Sequence, residues 1–118
     1  MKLYLALGVS SGDLVAFAGA GGKSSAIRMI AAELSRDGMK ILVAPTTKMM
    51  VSEVEEMGPL VTSKDPKELR VSIKDAFSGS GVVVAGGGLI SKGRVDGIPP
   101  DAFGSLMDLA DVILVEAD

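Results

Sequence analysis

The sequence predicts an α/β protein in which helices cover both faces of a mainly parallel sheet, giving three layers. Four short segments, 14–19, 40–45, 81–87 and 111–117, are continuously apolar and rich in β-branched residues. Continuous apolarity, rather than alternation, is typical of strands that are buried on both faces. The intervals between them carry apolar residues at helical spacing, and strands that alternate with helices predict a layered α/β domain.

Composition and charge exclude several classes of protein. The chain has 118 residues, 47% of them hydrophobic, and we expect residues 1–118 to form a single domain with one core. It has no cysteine or histidine, which excludes thiolate and imidazole metal sites. The net charge of −3 argues against nucleic-acid binding. The apolar segments are far shorter than the roughly 20 residues that span a bilayer, so we expect no membrane insertion and a cytoplasmic location.

The elements of the first half can be justified in chain order. Residues 2–8 fit a strand or a helix equally well. After the strand at 14–19, an apolar stripe at i, i+3 and i+4 spacing predicts a helix that Gly38 ends in the left-handed conformation. The stripe consists of Ala26, Ile27, Ile30, Ala31 and Leu34. Residues 49–58 predict a further short helix and residues 59–63 a minor strand.

The second half contains a helix with clear start and stop signals. Asp65 can cap it, Pro66 suits its first turn, and Glu68 completes a capping-box pattern. Gly79 then ends it. Its apolar face consists of Leu69, Ile73, Ala76 and Phe77.

Two weaker elements follow this helix. Residues 86–97 predict a hairpin or ordered loop, in which Lys92 and Arg94 are either anion contacts or solvated charges. Residues 99–110 predict a third helix. Its apolar side consists of Ala102, Phe103, Leu106 and Leu109.

The segment GAGGKSS, Gly19–Ser25, joins the first strand to its helix. Its glycines lack Cβ atoms, so backbone N–H groups can converge on an anion at the positive end of the helix. Lys23 is unfavourable there by roughly 0.3–1 kcal/mol when the site is empty, and a bound phosphate reverses that sign. We therefore expect ATP or GTP to bind here with Mg²⁺, for which Ser24 supplies a hydroxyl. The expected contacts are Gly19, Ala20, Gly21, Gly22, Lys23, Ser24 and Ser25.

Two other interpretations of this segment remain open. The full pattern G-x-x-x-x-G-K-S/T fails because Phe17 stands at the first glycine position, which leaves the shorter G-x-x-G-K-S-S. A dinucleotide fingerprint would require a third glycine where Ser24 stands, and an acid after the second strand. The other interpretation is that the segment is a simple glycine turn with an exposed lysine.

The other strand ends carry the remaining candidate residues. Glu116 and Asp118 follow an apolar strand at a spacing of two, so they share a face and can hold Mg²⁺ or orient a nucleophile. With Lys23 they are the candidate catalytic residues. Thr46–Lys48 (Thr46, Thr47 and Lys48) end the second strand and either contact the nucleotide or cap a helix. Carboxyl ends of parallel strands meet at one edge, which predicts one shared site.

The sequence also resembles a known family. The segments VAFAGAGGKSS, ILVAPTTKM, VVVAGGG, GIPPDAF and DVILVEAD follow the order and rough spacing of the YqeC family of selenium-dependent hydroxylase accessory proteins. The resemblance covers essentially the whole chain, and the Thr-Thr-Lys segment and the Val-Glu-Ala-Asp ending are its specific parts. Family members usually carry threonine at the positions of Ser24, Ser25 and Pro45.

This resemblance implies a P-loop nucleotide-binding protein that acts in maturation of a selenium-containing molybdenum hydroxylase cofactor, with a hydroxylase maturation protein as partner. It also implies that residues 2–8 form a short helix. Because family members run further than this chain, we expect the N-terminal part of a longer domain, with uncovered apolar surface and self-association. Three functions remain open: an NTP-dependent enzyme, a non-catalytic nucleotide-binding adapter, and a structural fragment with an empty glycine loop.

Overall fold

The computed structural model describes residues 14–17, 23–45, 49–50, 57–91 and 93–116. The strands within these ranges are β1 (Leu14–Phe17), β2 (Ile41–Pro45), β3 (Met49–Met50), β4 (Leu60–Thr62), β5 (Val82–Gly86), β6 (Leu89–Ser91), β7 (Arg94–Val95) and β8 (Val112–Glu116). The helices are α1 (Lys23–Arg36), α2 (Pro66–Phe77) and a 3₁₀ helix (Pro100–Ser105).

The main sheet has five strands in the order β1-β8-β2-β5-β4, and every pairing between them is parallel. A second, antiparallel sheet has the order β3-β7-β6. The four apolar segments of the sequence are thus β1, β2, β5 and β8, and β4 is the predicted minor strand. The predicted α/β class with a parallel sheet is confirmed.

Helices pack on both faces of the main sheet, as the continuous apolarity of its strands requires. Side chains of each strand alternate between the two faces because the strand period is two. One face is covered by α1, in a cluster of Ile27, Ile30, Ala31, Leu34, Ile41, Val43, Val82, Val84, Val112 and Leu114. The other face is covered by α2 and the 3₁₀ helix, in a cluster of Leu42, Ala44, Leu69, Ile73, Phe77, Val83, Ala85, Ile98, Phe103, Leu106, Ile113 and Val115.

The ends of both α-helices follow their predicted signals, with one exception. Gly38 has a positive φ of 88°, as a left-handed helix terminator should. The carboxylate of Asp65 accepts a hydrogen bond from the backbone N–H of Lys67 at 3.0 Å. The predicted second half of the capping box is wrong: Glu68 accepts from the hydroxyl of Ser63, and that hydroxyl accepts from the N–H of Asp65.

The structure contradicts one predicted helix and the beginning of another. Residues 99–110 form only the 3₁₀ helix followed by turns, and Gly104 within this segment weakens the propagation of an α-helix. Its apolar side still packs as predicted, with Phe103 and Leu106 buried. Met49–Met50 is a strand that pairs with β7, whereas residues 51–56 and 2–8 lie outside the described residues.

The predicted hairpin at 86–97 is confirmed as β6 and β7, which pair antiparallel through a turn where Gly93 has φ +82°. Arg94 is exposed on β7, and Lys92 lies outside the described residues. The hairpin and β3 together form the second sheet, so β3 depends on a partner that is distant in sequence.

An ion pair joins α2 to the turn after the 3₁₀ helix. Arg70 donates through Nη1 and Nη2 to the two carboxylate oxygens of Asp108 at 2.7 and 2.8 Å. Nη1 also donates to the backbone carbonyl of Ser105. The hydrogen bonds from Arg70 lower the pKa of Asp108 to about 2.

Candidate functional site

The ends of three neighbouring strands meet around Glu116. This residue is the last of β8, which lies between β1 and β2 in the sheet. In the register of the sheet it pairs with Phe17, the last residue of β1, and with Pro45, the last residue of β2. The last residues of β1, β2 and β8 therefore lie side by side at one edge of the sheet, about one strand spacing apart, roughly 5 Å.

Glu116 lies on the face of the sheet that α1 covers. Val112 and Leu114 of the same strand pack in the α1 cluster, whereas Ile113 and Val115 pack in the α2 cluster. Because strand side chains alternate, Glu116 belongs with Val112 and Leu114. Since α1 follows β1 and runs back across parallel strands, it begins at the same edge of the sheet. Glu116 and the start of α1 thus share one edge and one face.

The burial of Glu116 is unusual for a charged residue. It is 7% exposed, and it is the only buried polar or charged side chain within the described residues. A buried carboxylate is stable only where hydrogen bonds, an opposite charge or a metal ion compensates its lost hydration. This position therefore marks a polar site at the end of an otherwise apolar strand.

The structure describes only some of the predicted site residues. Lys23, Ser24 and Ser25 are the first three residues of α1. The remaining predicted residues lie outside the described residues: Gly19, Ala20, Gly21, Gly22, Thr46, Thr47, Lys48 and Asp118. The last residues of the strands that lead to these segments, Phe17, Pro45 and Glu116, lie side by side in the sheet.

Gly86, the last residue of β5, and Gly87 allow neighbouring segments to pack closely against the end of this strand. A Cβ atom on Gly86 would collide with the side chain of Val95, and one on Gly87 would lie 2.6 Å from the carbonyl oxygen of Gly97. The backbone of Asp96 binds the same segment, because Gly87 N–H donates to its carbonyl and its own N–H donates to Gly88. The strand that ends at Gly86 is therefore covered by β7 and the residues after it.

A cavity of about 260 Å³ lies on the α2 face, where sequence analysis predicted no site. The start of α2, the 3₁₀ helix and the residues after β5 and β7 form its walls. Its lining residues are Ser63, Lys64, Pro66, Leu69, Gly87, Asp96, Gly97, Ile98, Pro99, Ala102, Ser105 and Leu106. No local sequence signal points to it, because four separate segments build it.

Fold and site together define a three-layer α/β protein with an acid-bearing edge at the carboxyl ends of parallel strands. The model of the YqeC protein family matches residues 15–118, and the chain belongs to the YqeC family. The family resemblance seen in the sequence is thereby confirmed. No curated protein and no solved structure gives a significant match. Among the helices of the described residues, none is long and apolar enough to cross a bilayer.

Proposed function

We propose that the edge formed by β1, β8 and β2 binds a nucleotide with Mg²⁺, and that Lys23 and Glu116 are its main ligands. The buried carboxylate of Glu116 is the observation that carries this proposal. Its register places it beside the strand that leads to the glycine-rich segment and beside the strand that leads to Thr46–Lys48. Ligands of parallel α/β sheets bind outside the carboxyl ends of the strands, which is this edge.

The start of α1 supports an anionic ligand. The helix is 14 residues long, it has no acidic residue in its first turn, and Lys23 is its first residue. The first turn of a helix leaves backbone N–H groups unsatisfied and carries partial positive charge. A lysine adds to that charge, so an arriving phosphate would meet N–H groups, helix dipole and ammonium group together. The glycine-rich residues before Lys23 would allow the backbone to approach the phosphate closely.

The donor set fits Mg²⁺ in its nucleotide-bound form. Among the described residues, no group of three or more histidine, cysteine, aspartate or glutamate side chains could hold a metal ion. Mg²⁺ is commonly bound by one or two carboxylates together with substrate phosphates, and it keeps several waters. Glu116 and Asp118, with the hydroxyl of Ser24, would hold it. When bound, the ion neutralises charge on the phosphate oxygens.

We further propose that nucleotide binding serves the maturation of a selenium-dependent molybdenum hydroxylase. Membership of the YqeC family and the resemblance of the Thr-Thr-Lys and Val-Glu-Ala-Asp segments support this role. Deletion of the gene should then lower the selenium-dependent hydroxylase activity of the host cells. Wild-type protein should restore that activity, and the Lys23→Ala variant should not. Restoration by Lys23→Ala would separate the accessory role from nucleotide binding.

Calorimetric titration of the full chain with Mg·ATP and Mg·GTP tests the nucleotide site. We expect one of them to bind, and Lys23→Ala to weaken binding at least tenfold, because a charge-assisted contact contributes about 1.5–3 kcal/mol. Lys67→Ala is the matched control, since Lys67 lies in the first turn of α2 and is exposed. Unchanged affinity in Lys23→Ala, or an equal loss in Lys67→Ala, would contradict the proposal.

Glu116→Gln tests the metal contact while it preserves the size of the side chain. We expect this variant to bind nucleotide with little dependence on Mg²⁺, whereas the wild type should bind more tightly when Mg²⁺ is present. Circular dichroism shows whether the variant keeps its fold. Phosphate release by the wild type, measured in the same samples, distinguishes an NTP-dependent enzyme from a non-catalytic adapter. A variant with the wild-type Mg²⁺ dependence would exclude Glu116 as a ligand.

A further inference from the structure

The cavity on the α2 face has the composition of a small-molecule site. Its walls are largely apolar, and the buried or half-buried apolar side chains among them are Leu69, Ile98, Ala102 and Leu106. Two charged side chains, Lys64 and Asp96, lie at the same cavity. Ligand pockets are typically apolar concavities with a few polar groups that fix the orientation of the ligand. At about 260 Å³ the cavity suits a molecule of roughly one ring.

Both charged residues contact one short piece of backbone, Gly87–Gly88. The stem of Lys64 packs over Gly88, whose missing Cβ would lie 3.0 Å from Cγ of Lys64. The N–H of Asp96 donates to the carbonyl of Gly88 at 2.8 Å, and its carbonyl accepts from Gly87 at 3.0 Å. Gly88 has φ +139°, a conformation that suits glycine. The glycines thus hold a cation and an anion beside the same cavity.

The polar groups of the cavity differ in their availability. The hydroxyl of Ser63 is engaged with Asp65 and Glu68, and that of Ser105 donates to the carbonyl of Ala102. One carboxylate oxygen of Asp96 accepts from the N–H of Gly97 at 2.9 Å, which orients the side chain. Within the described residues, the ammonium group of Lys64 has no hydrogen bond or ion pair. The ammonium group of Lys64 and the second carboxylate oxygen of Asp96 are therefore available to a ligand.

We infer that this cavity binds a small organic molecule with an apolar body, an anionic group that contacts Lys64, and an N–H or O–H donor that contacts Asp96. The apolar body packs against Leu69, Ile98 and Leu106. This site is separate from the proposed nucleotide site, because it lies on the α2 face whereas Glu116 lies on the α1 face. The inference does not depend on nucleotide binding.

The inference is tested with three probes that differ by one group each: 3-aminobenzoate, benzoate and aniline. Each is titrated into the isotope-labelled full chain while amide resonances are followed by NMR. We expect 3-aminobenzoate to bind most tightly and to shift the amides of Gly87 and Gly97. Benzoate, which lacks the donor, should bind about fivefold more weakly, and aniline, which lacks the anion, about tenfold more weakly.

Variants assign each preference to its residue. Lys64→Met should remove the advantage of 3-aminobenzoate over aniline, and Asp96→Asn should remove its advantage over benzoate. Lys67→Met is the matched control, since Lys67 is exposed and does not line the cavity. Ala102→Leu should weaken all three probes by filling the cavity. Equal affinities of the three probes for the wild type, shifts confined to other residues, or equal effects of Lys64→Met and Lys67→Met would overturn the inference.

Discussion

The two α-helices begin in opposite electrostatic situations, although they have similar lengths and pack on the same sheet. At the start of α2, Asp65 accepts a hydrogen bond from the N–H of Lys67, and Glu68 places a carboxylate in the first turn. At the start of α1 the first turn contains no acid, and the first residue is Lys23. The positive end of α2 is thus compensated by acids at its own start, whereas the first turn of α1 contains no acid.

Because of this difference, the same rules for helix starts lead to different conclusions for α1 and α2. A helix that serves only as structure gains stability from a cap and from acids in its first turn. Where those acids are replaced by a cation, the chain loses this stabilisation. The proposed nucleotide would restore it as an external anion, and the buried Glu116 at the same edge is the proposed ligand of its Mg²⁺.

The largest expected effect comes from giving α1 the acid that α2 has. Lys23→Glu should lower nucleotide affinity at least hundredfold, about 2.7 kcal/mol, because it replaces attraction for phosphate by repulsion. The same change should raise the free energy of unfolding of the ligand-free protein by roughly 0.3–1 kcal/mol, because a carboxylate suits a helix start. Calorimetry and urea denaturation measure the two quantities. A loss of stability that matches the loss of affinity would break the comparison.

At the start of α2 we expect a smaller effect, in which stability changes and nucleotide affinity does not. Asp65→Ala should lower the free energy of unfolding by about 1 kcal/mol, because it removes the acceptor of the Lys67 N–H. Nucleotide affinity should not change. Asp75→Ala is a suitable control, since Asp75 is an exposed carboxylate in the last turn of the same helix, far from its start. A large change in nucleotide affinity on Asp65→Ala would mean that the two helix starts are not independent.

The smallest effect concerns acid pH and only the α2 side. The pKa of Asp108 is lowered to about 2 by Arg70, so the stabilisation from this pair is complete above about pH 4 and is lost as the pH falls toward 2. The effect is small because both side chains are well exposed to solvent. Thermal denaturation between pH 5 and 2 should show a steeper loss for the wild type than for Asp108→Asn. Parallel pH profiles would show that the pair contributes nothing.

Much of the fold was accessible from the sequence because its strands carry a strong signal. The strands β2, β5 and β8 are fully buried on both faces, and their continuous apolar runs predicted them to within one or two residues. The cap at Asp65 and the terminator at Gly38 also acted as local rules predict. Glu116 was found as a candidate because an acid directly after an apolar strand is a local pattern.

The remainder depended on contacts between distant segments. Met49–Met50 is a strand because it pairs with β7. The spacing of apolar residues around positions 49–50 carries no information about that distant partner. The position of β8 between β1 and β2, which brings Glu116 to its neighbours, is likewise a property of the sheet order. The cavity depends on Lys64 and Asp96 meeting at Gly88, which no single stretch of sequence encodes.

The pairing of β1 with β8 has a consequence for how the chain folds. Leu14 lies opposite Ile113, so β1 finds this neighbour only after 99 further positions have been synthesised. Closing so large a loop is slow compared with local contacts. During synthesis on the ribosome, α2 and β5 can therefore collapse before β8 is made, whereas the edge around Glu116 forms only after it. Nascent chains that lack β8 would also lack Glu116, so the proposed nucleotide site would be incomplete until that strand is made.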